Sequence, residues 1–210
     1  MKPLPMKPHG ERGMLITFCG LDGCGKTTQI RRLEAHLTSL GHAVVLTKQP
    51  TDWVRQSDIF RTYMDDPDHS AYEYRALSLF AAADRVQHAG SFILPLLREG
   101  KTVICDRYFY SCQANLWARG YEDDQWIYEI AAAVPRPDYA FFLSVPTATA
   151  LQRVRARPEE RDRYVDEPLQ YRLETAYAEI CRQNGGVAID STRAEEDTFS
   201  DILAAIGGCP

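Results

Sequence analysis

Residues 14–29 read MLITFCGLDGCGKTTQ, and this stretch decides the fold class of the chain. The first six residues are a compact apolar run, residues 20–27 match the pattern G-x-x-x-x-G-K-[ST] in full, and a helical pattern covers residues 26–40. In a strand–turn–helix of this kind the glycines let backbone N–H groups curl around phosphate oxygens, and the helix directs its positive end towards them. The stretch predicts a nucleoside triphosphate site, and a chance glycine turn that holds a lysine is the less favoured alternative.

The loop supplies most of the contacts expected with a triphosphate. Lys26 can reach the β- and γ-phosphates, and the Thr27 hydroxyl can bind Mg²⁺. We expect ATP and Mg²⁺ here, with ATP held by Gly20, Leu21, Asp22, Gly23, Cys24, Gly25, Lys26, Thr27 and Thr28.

The composition is that of an ordinary globular chain. Its 210 residues are 45% hydrophobic and 25% charged, which fits one α/β domain with a substantial core. The formal net charge of −5 argues against a uniformly cationic nucleic-acid binder. No segment has the apolar length of a membrane span, and the six cysteines show neither a C-x-x-C pair nor zinc-ligand spacing. We expect a cytoplasmic protein with neither nucleic acid nor a membrane as partner.

Residues 1–13 carry three prolines and no apolar run, which predicts a mobile N-terminal tail with Met6 or Met14 as alternative starts. Between residues 14 and 210 no linker, repeat or low-complexity tract divides the chain. A single domain is therefore expected over residues 14–210.

Short apolar runs alternate with longer amphipathic stretches along the chain. Strands are predicted at residues 14–19, 43–47, 102–105, 140–144 and 187–189, and helices at 26–40, 123–133, 147–155, 169–184 and 195–206. Ser70 to Glu73 has the pattern of a capping box that opens a long helix towards Pro95. Buried strands separated by helices are typical of a parallel sheet covered on both faces, whose ligands lie beyond the carboxyl ends of the strands.

Several classes of nucleotide-binding protein share such a loop. A guanine-specific switch GTPase usually carries N-K-x-D, and neither Asn115 nor Asn184 begins that element. One sheet in 210 residues disfavours a large mechanical ATPase. A small nucleotide kinase is the class that remains.

Further stretches carry a family resemblance. These are residues 18–29, the D-R-Y at 106–108 with Ser111 and Ala114 after it, and the helix that holds Phe80 and Arg85. They resemble the motifs of thymidylate (dTMP) kinases, and residues 153–167 fall where that family has an arginine-bearing lid. The resemblance spans roughly residues 14–205 and implies a P-loop NTPase fold with a five-stranded parallel sheet. It also implies transfer of the γ-phosphoryl group of ATP to dTMP.

The resemblance assigns residues to the acceptor, and strand-end position points to a metal ligand. The acceptor-binding set is Lys48, Phe80, Arg85, Arg107, Tyr108 and Asn115. Asp22 is expected at the deoxyribose. Asp106, at the end of an apolar strand, is expected to hold Mg²⁺ with Thr27; the alternative is a helix N-cap.

The acceptor side also departs from the family pattern. Phe80 and Arg85 are five residues apart where the family has four, so either a bulge in residues 81–83 restores a shared helix face or Phe80 belongs to the core. Lys48 stands where an arginine is common in the family. Arg55 is a candidate replacement for the contact with the acceptor phosphate that this arginine would make. Asn115 and Leu116 replace a common tyrosine–glutamine pair.

Five arginines lie within residues 153–163: Arg153, Arg155, Arg157, Arg161 and Arg163. Either at least one of them reaches the transferred phosphoryl group, or the run is a solvated face of mixed charge. The expected catalytic set is Lys26, Asp22, Arg155, Arg157, Arg161 and Arg163.

The leading functional hypothesis is a dTMP kinase. The alternatives are a related nucleotide or nucleoside kinase with another acceptor base, and a nucleotide-binding regulatory protein without turnover. The resemblance suggests a homodimer, and residues 76–97 form either its interface or part of the core against the sheet.

Overall fold

A five-stranded parallel sheet lies at the centre of the computed structural model, which describes residues 1–161 and 164–207. Its strands are β1 (Met14–Cys19), β2 (Val44–Lys48), β3 (Thr102–Asp106), β4 (Tyr139–Ser144) and β5 (Val187–Asp190). Their order in the sheet is β2-β3-β1-β4-β5. The chain moves to one side of β1 and later returns to its other side, so a ligand crevice is expected at the carboxyl end of β1.

The helices cover both faces of this sheet, which confirms the predicted fold class. They are α1 (Lys26–Ser39), α2 (Asp52–Arg55), α3 (Asp58–Asp65), α4 (Tyr74–His88), α5 (Leu94–Arg98), α6 (Tyr110–Ala118), α7 (Trp126–Ala131), α8 (Thr147–Arg155), α9 (Glu167–Gln183) and α10 (Glu195–Ile206). A π turn, Ala89–Ile93, joins α4 to α5, and a 3-10 turn, Pro158–Glu160, follows α8. Among the described residues, no helix combines the length and the hydropathy that crossing a bilayer needs.

The central strands are apolar on both sides and do not alternate between apolar and polar residues, so both faces of the sheet contribute to the core. Leu15, Ile16 and Phe18 of β1 are fully buried because helices cover both faces of the sheet. Phe18 packs against Phe141 of β4 with their ring centroids 5.2 Å apart. On the helical side, Leu33 of α1 is also fully buried. The core thus holds β1 in the middle of the sheet, and with it the turn that follows β1.

The long helix starts later than the capping-box pattern predicts. α4 begins at Tyr74, and its N-cap is Glu73, whose side chain accepts the backbone N–H of Arg75. Ser70 lies instead in a turn where the Asp68 carboxylate accepts its backbone N–H at 2.9 Å. The capping-box prediction is wrong because a short polar side chain two residues earlier offers the backbone a competing turn.

Residues 1–13 pack against the rest of the chain, which differs from the mobile tail expected from the sequence. Leu4 and Met6 are each 6% exposed, and the Leu4 N–H donates to Asn184 Oδ1 at 2.8 Å. Lys7–Pro8 pairs in parallel with Pro135–Arg136. Side chains two residues apart lie on the same side of an extended segment, so Leu4 and Met6 can be buried together although the prolines prevent a regular apolar run.

Candidate functional site

A cavity of about 750 Å³ opens beyond the carboxyl ends of β1, β2 and β3. The turn after β1 forms one end of the cavity, and the residues that end or follow β2 and β3 lie beside it. Its other walls come from α3, α4, α6, α9 and the segment after α8. The cavity therefore lies where a parallel sheet of this order places its ligand.

The loop after β1 has a backbone that requires glycine at two positions. Gly20 has a φ of 137°, and a Cβ there would lie 2.5 Å from the Leu143 carbonyl oxygen. Gly23 has a φ of 83°, and a Cβ there would lie 2.3 Å from the Ala150 carbonyl oxygen. This close approach brings the loop onto the sheet and α8, and it leaves the first residues of α1 facing the cavity. A helix start of this kind is a ready anion site.

Lys26 lies across its own loop. It is 6% exposed, and its Nζ donates to the carbonyl oxygens of Gly20 at 3.1 Å and Leu21 at 2.7 Å. Most of the predicted loop contacts line the cavity: Leu21, Asp22, Gly23, Gly25, Lys26, Thr27 and Thr28. The other two, Gly20 and Cys24, are buried beside it, and the Cys24 carbonyl accepts the Ser191 hydroxyl at 2.6 Å.

Asp106 ends β3 opposite this loop. Its Oδ1 is buried and has no hydrogen-bond partner among the described residues. Its Oδ2 lies 3.8 Å from Lys48 Nζ at the end of β2. Partial burial lowers the pKa of Lys48 below its ordinary value, and the negative charge of Asp106 opposes that shift. Asp106 thus lines the cavity with one carboxylate oxygen unpaired among the described residues, next to a lysine whose pKa is lowered.

Arg107 is the best-anchored cation of the cavity. Its backbone N–H donates to the Phe18 carbonyl at 2.8 Å, and its guanidinium donates to Asp22 Oδ1 at 2.7 Å and to the Tyr177 hydroxyl at 2.9 Å. Tyr177 in turn donates to Ser111 Oγ at 3.1 Å. Asp22 of the first loop and Tyr177 of α9 therefore fix the guanidinium. Ser111 of α6 holds Tyr177, and β1 holds the backbone of Arg107.

One face of α4 forms a wall of the cavity. It carries Tyr74, Leu77, Ser78, Ala81 and Arg85, and a spacing of three or four residues places such side chains on one side of a helix. Arg85 is 3% exposed. Its Nη1 donates to the Ala81 carbonyl at 2.8 Å, and its Nε donates to the Tyr108 carbonyl at 3.3 Å. Asn115 of α6 also lines the cavity.

Two residues of the expected acceptor set lie outside the cavity lining. α4 is regular through residues 81–83, so no bulge turns Phe80 towards Arg85, and Phe80 packs edge-on against Trp53 at 4.9 Å. Tyr108 is fully buried, and its hydroxyl donates to the Pro135 carbonyl at 2.7 Å. Phe80 faces away from the cavity because it is five residues from Arg85 and therefore lies on another side of α4. Tyr108 does not reach the cavity because its side chain is buried in the core just before α6. Lys48, Arg85, Arg107 and Asn115 do line the cavity.

The arginines after α8 separate in space. Arg157 lines the cavity, whereas Arg155 is exposed and pairs with Glu167. Arg153 donates to the Ser191 carbonyl at 3.2 Å, and Arg161 is exposed. Arg163 lies outside the described residues.

Tyr177 and Ser78 line the cavity but were not predicted from the sequence. Tyr177 falls on the apolar stripe of α9 with Leu169, Leu173 and Ala176, so periodicity assigns it to the core. Ser78 sits between apolar residues on α4 in the same way. A hydroxyl within an apolar helix stripe was the available signal, because a buried hydroxyl needs a partner.

Comparison with known proteins agrees with this geometry. A family profile described as thymidylate kinase matches residues 18–202. A probable thymidylate kinase of Pyrococcus horikoshii is 39% identical over 200 residues, which cover 93% of this chain and 96% of that protein. A thymidylate kinase of Dinoroseobacter shibae is 34% identical over 201 residues, which cover 92% of this chain and 96% of that protein. The chain belongs to the thymidylate kinase family.

Proposed function

We propose that the protein transfers the γ-phosphoryl group of ATP to the 5′-phosphate of dTMP, forming dTDP and ADP. The observation that carries this proposal is one continuous cavity that is lined by the phosphate loop and by the cationic side chains of Lys48, Arg85 and Arg107. An oxygen of the dTMP phosphate would bond to the γ-phosphorus while the bond to the β–γ bridging oxygen breaks. The electron pair of that bond leaves with ADP.

The reaction needs no general base, because the attacking phosphate oxygen is already anionic at neutral pH. The work of the protein is to align two polyanions and to neutralise their charge. At the donor end, the loop amides, the start of α1 and Lys26 would hold the β- and γ-phosphates. Lys26 would exchange its contacts with the Gly20 and Leu21 carbonyls for phosphate oxygens.

At the acceptor end, Arg107 would bind the phosphate of dTMP, because Asp22 and Tyr177 already hold its guanidinium against the cavity. Lys48 and Arg55 line the same wall and would share that charge. Asp22 would stand between the two phosphates and the deoxyribose. Arg157, which lines the cavity, would reach the transferred group, and Arg155, Arg161 and Arg163 would join it when the lid encloses both nucleotides.

The residues present fit a bound Mg²⁺. Oδ1 of Asp106 is buried without a partner among the described residues, and Thr27 lines the same cavity. Mg²⁺ is commonly held by one or two protein oxygens together with substrate phosphates, so a dedicated cluster is not needed. Within the described ranges no group of three or more His, Cys, Asp or Glu side chains forms such a cluster. When bound, Mg²⁺ would supply positive charge to the phosphates.

We also infer a homodimer formed through the outer face of α4. Ala76, Leu79 and Ala83 are exposed along that face, with Leu79 45% exposed. Trp53 of α2 is 60% exposed and Phe92 of the π turn is 40% exposed. Large apolar side chains exposed on one helix and beside it are typical of an interface.

The five described cysteines are all free, which supports a reducing compartment such as the cytoplasm.

Replacement of Lys26 tests the active-site assignment. Lys26→Ala should lower kcat for ADP formation with dTMP by at least about a hundredfold, because the charge that stabilises the transferred phosphoryl group is lost. Lys101→Ala is the matched control, since Lys101 pairs with Glu99 away from the cavity. Equal activity in the two variants would place the chemistry elsewhere.

A panel of nucleoside monophosphates tests the acceptor. The proposal expects dTMP to have the highest kcat/KM. Preference for another base would support the related-kinase alternative, which the displacement of Phe80 from the cavity favours. Nucleotide binding without phosphorylation of any acceptor would support a regulatory protein.

A further inference from the structure

The acceptor end of the cavity contains a buried polar atom that no part of the site uses. Ser78 of α4 is 2% exposed and lines the cavity, and its Oγ has no hydrogen-bond partner among the described residues. A buried hydroxyl without a partner is unfavourable, because it has lost its hydrogen bonds to water. Such a group in a ligand cavity indicates that the ligand supplies the partner.

The surroundings of Ser78 have the shape and chemistry of a site for a flat polar ring. One helical turn earlier, Tyr74 lies edge-on to Tyr63 with ring centroids 5.2 Å apart. The Arg119 guanidinium lies 4.3 Å from the centroid of Tyr74 and 5.3 Å from that of Tyr63. The Nε of Arg119 is a second buried atom without a partner in the described parts of the chain. Aromatic walls with unpaired hydrogen-bonding atoms suit a nucleobase.

Arg85 brings a third polar group to the same place. Its Cα is seven residues from Ser78, but its Nη1 donates to the Ala81 carbonyl. The guanidinium therefore lies about one turn back along α4, at the level of Ala81 and three residues from Ser78. Ser78, Ala81 and Arg85 all line the cavity, so Ser78 and the Arg85 guanidinium are neighbours on one face of α4.

We propose that Ser78 is a specificity-determining residue that hydrogen-bonds the polar edge of the acceptor pyrimidine beside Arg85. The Arg85 guanidinium can only donate, so it takes a carbonyl oxygen of the ring while the Ser78 hydroxyl accepts the adjacent N3–H. Thymine and uracil carry both of these groups on one edge. Cytosine presents an amino group where the guanidinium needs an acceptor, so it does not fit this pair of side chains. This inference rests on the proposed phosphorylation of dTMP and adds a residue that, together with Arg85, distinguishes its base.

Kinetics of Ser78→Ala with three acceptors test the inference. We expect KM for dTMP to rise about three- to tenfold, the effect of losing one neutral hydrogen bond, with KM for ATP unchanged. dUMP should be affected by the same factor as dTMP because it shares the N3–H and the carbonyl. dCMP, as a substrate or as a competitive inhibitor, should be affected less, so the dTMP-to-dCMP ratio falls.

Thr17→Val is the matched control. The Thr17 hydroxyl is equally buried and unpartnered, but it lies in β1 and not in the cavity lining. This variant should retain wild-type KM for every acceptor. An unchanged Ser78→Ala enzyme, or an equal loss with all three bases, would overturn the role of Ser78. Failure of the wild-type protein to phosphorylate dTMP would instead overturn the proposed function itself.

Discussion

Arg107 has an unfavourable backbone conformation, and contacts of its backbone and its side chain stabilise it. Its φ of 66° is the only positive value at a non-glycine position among the described residues. A side chain in this region costs backbone energy, and such residues persist where surrounding contacts fix them. The contacts here are the Phe18 carbonyl, Asp22 and Tyr177. These contacts fix the backbone of Arg107 in a conformation that directs its guanidinium into the cavity.

Tyr177→Phe tests this anchoring. Loss of the hydroxyl removes the acceptor of one Arg107 N–H, so Arg107 would be positioned less well. We expect KM for dTMP to rise about fivefold, equivalent to about 1 kcal/mol, with a smaller change in kcat. Steady-state kinetics with varied dTMP measure the split. Tyr139→Phe removes a hydroxyl that donates to the Ile206 carbonyl, and it should retain wild-type kinetics. If Tyr177→Phe matched that control, Tyr177 would have only a packing role.

At the scale of elements, α4 clamps the segment that follows β2. Asp84 accepts the backbone N–H of Thr51 at 2.8 Å and its hydroxyl. One helical turn later, Nδ1 of His88 lies 3.0 Å from the side-chain amide nitrogen (Nε2) of Gln49, and Nε2 of His88 lies 3.0 Å from Thr47 Oγ1. An amide N–H that donates to Nδ1 requires a neutral ring, in which Nε2 carries the proton. Two side chains of one helix therefore hold the loop around Lys48.

Stability should depend on pH through His88. Burial lowers the pKa of His88, Arg85 adds to this effect, and Asp84 opposes it. The folded protein thus binds the His88 proton less tightly than the unfolded chain does. This contribution to stability is complete above the unfolded value of about 6.5 and is lost as the pH falls from there through the lower folded pKa.

Urea unfolding at pH 7.5 and pH 5.5 measures this dependence. Between these two values, His88→Gln should lose less of its unfolding free energy than the wild-type protein does. His36→Gln, on α1 and outside the clamp, should retain the wild-type difference. An equal pH dependence in His88→Gln and the wild type would mean that His88 does not titrate in this range.

At the scale of the whole molecule, the face of α4 that points away from the cavity remains exposed. The cavity side carries Ser78 and Arg85, and the outer side carries Leu79 and the alanines next to it. The same helix would therefore line the acceptor site and form the contact between two copies. Because the outer side of α4 exposes apolar side chains, it is expected to be covered by a second copy.

Leu79→Glu tests the homodimer. A buried charge at the centre of the interface should convert the dimer to a monomer at micromolar concentration, as measured by sedimentation equilibrium. Tyr171→Glu is the control, because Tyr171 is a comparably exposed apolar side chain on a different helix, 53% exposed on α9. A wild-type protein that sediments as a monomer would contradict the inferred dimer.

Local sequence patterns were enough to predict the alternation of strands and helices, the phosphate loop and the residues at strand ends, because these depend on short-range periodicity and on glycine conformation. Thr147–Arg155 and Glu195–Ile206 have the bounds predicted from this pattern. Only the tertiary structure decided which polar residues face the cavity. The orientation of α4 on the sheet directs Ser78 towards the cavity and Phe80 away from it. The packing of α9 brings the Tyr177 hydroxyl within hydrogen-bond distance of Arg107. Burial of Leu4 and Met6 likewise depends on distant partners. Contacts between residues far apart in the chain leave no local pattern in the sequence, and this is the physical reason for the division.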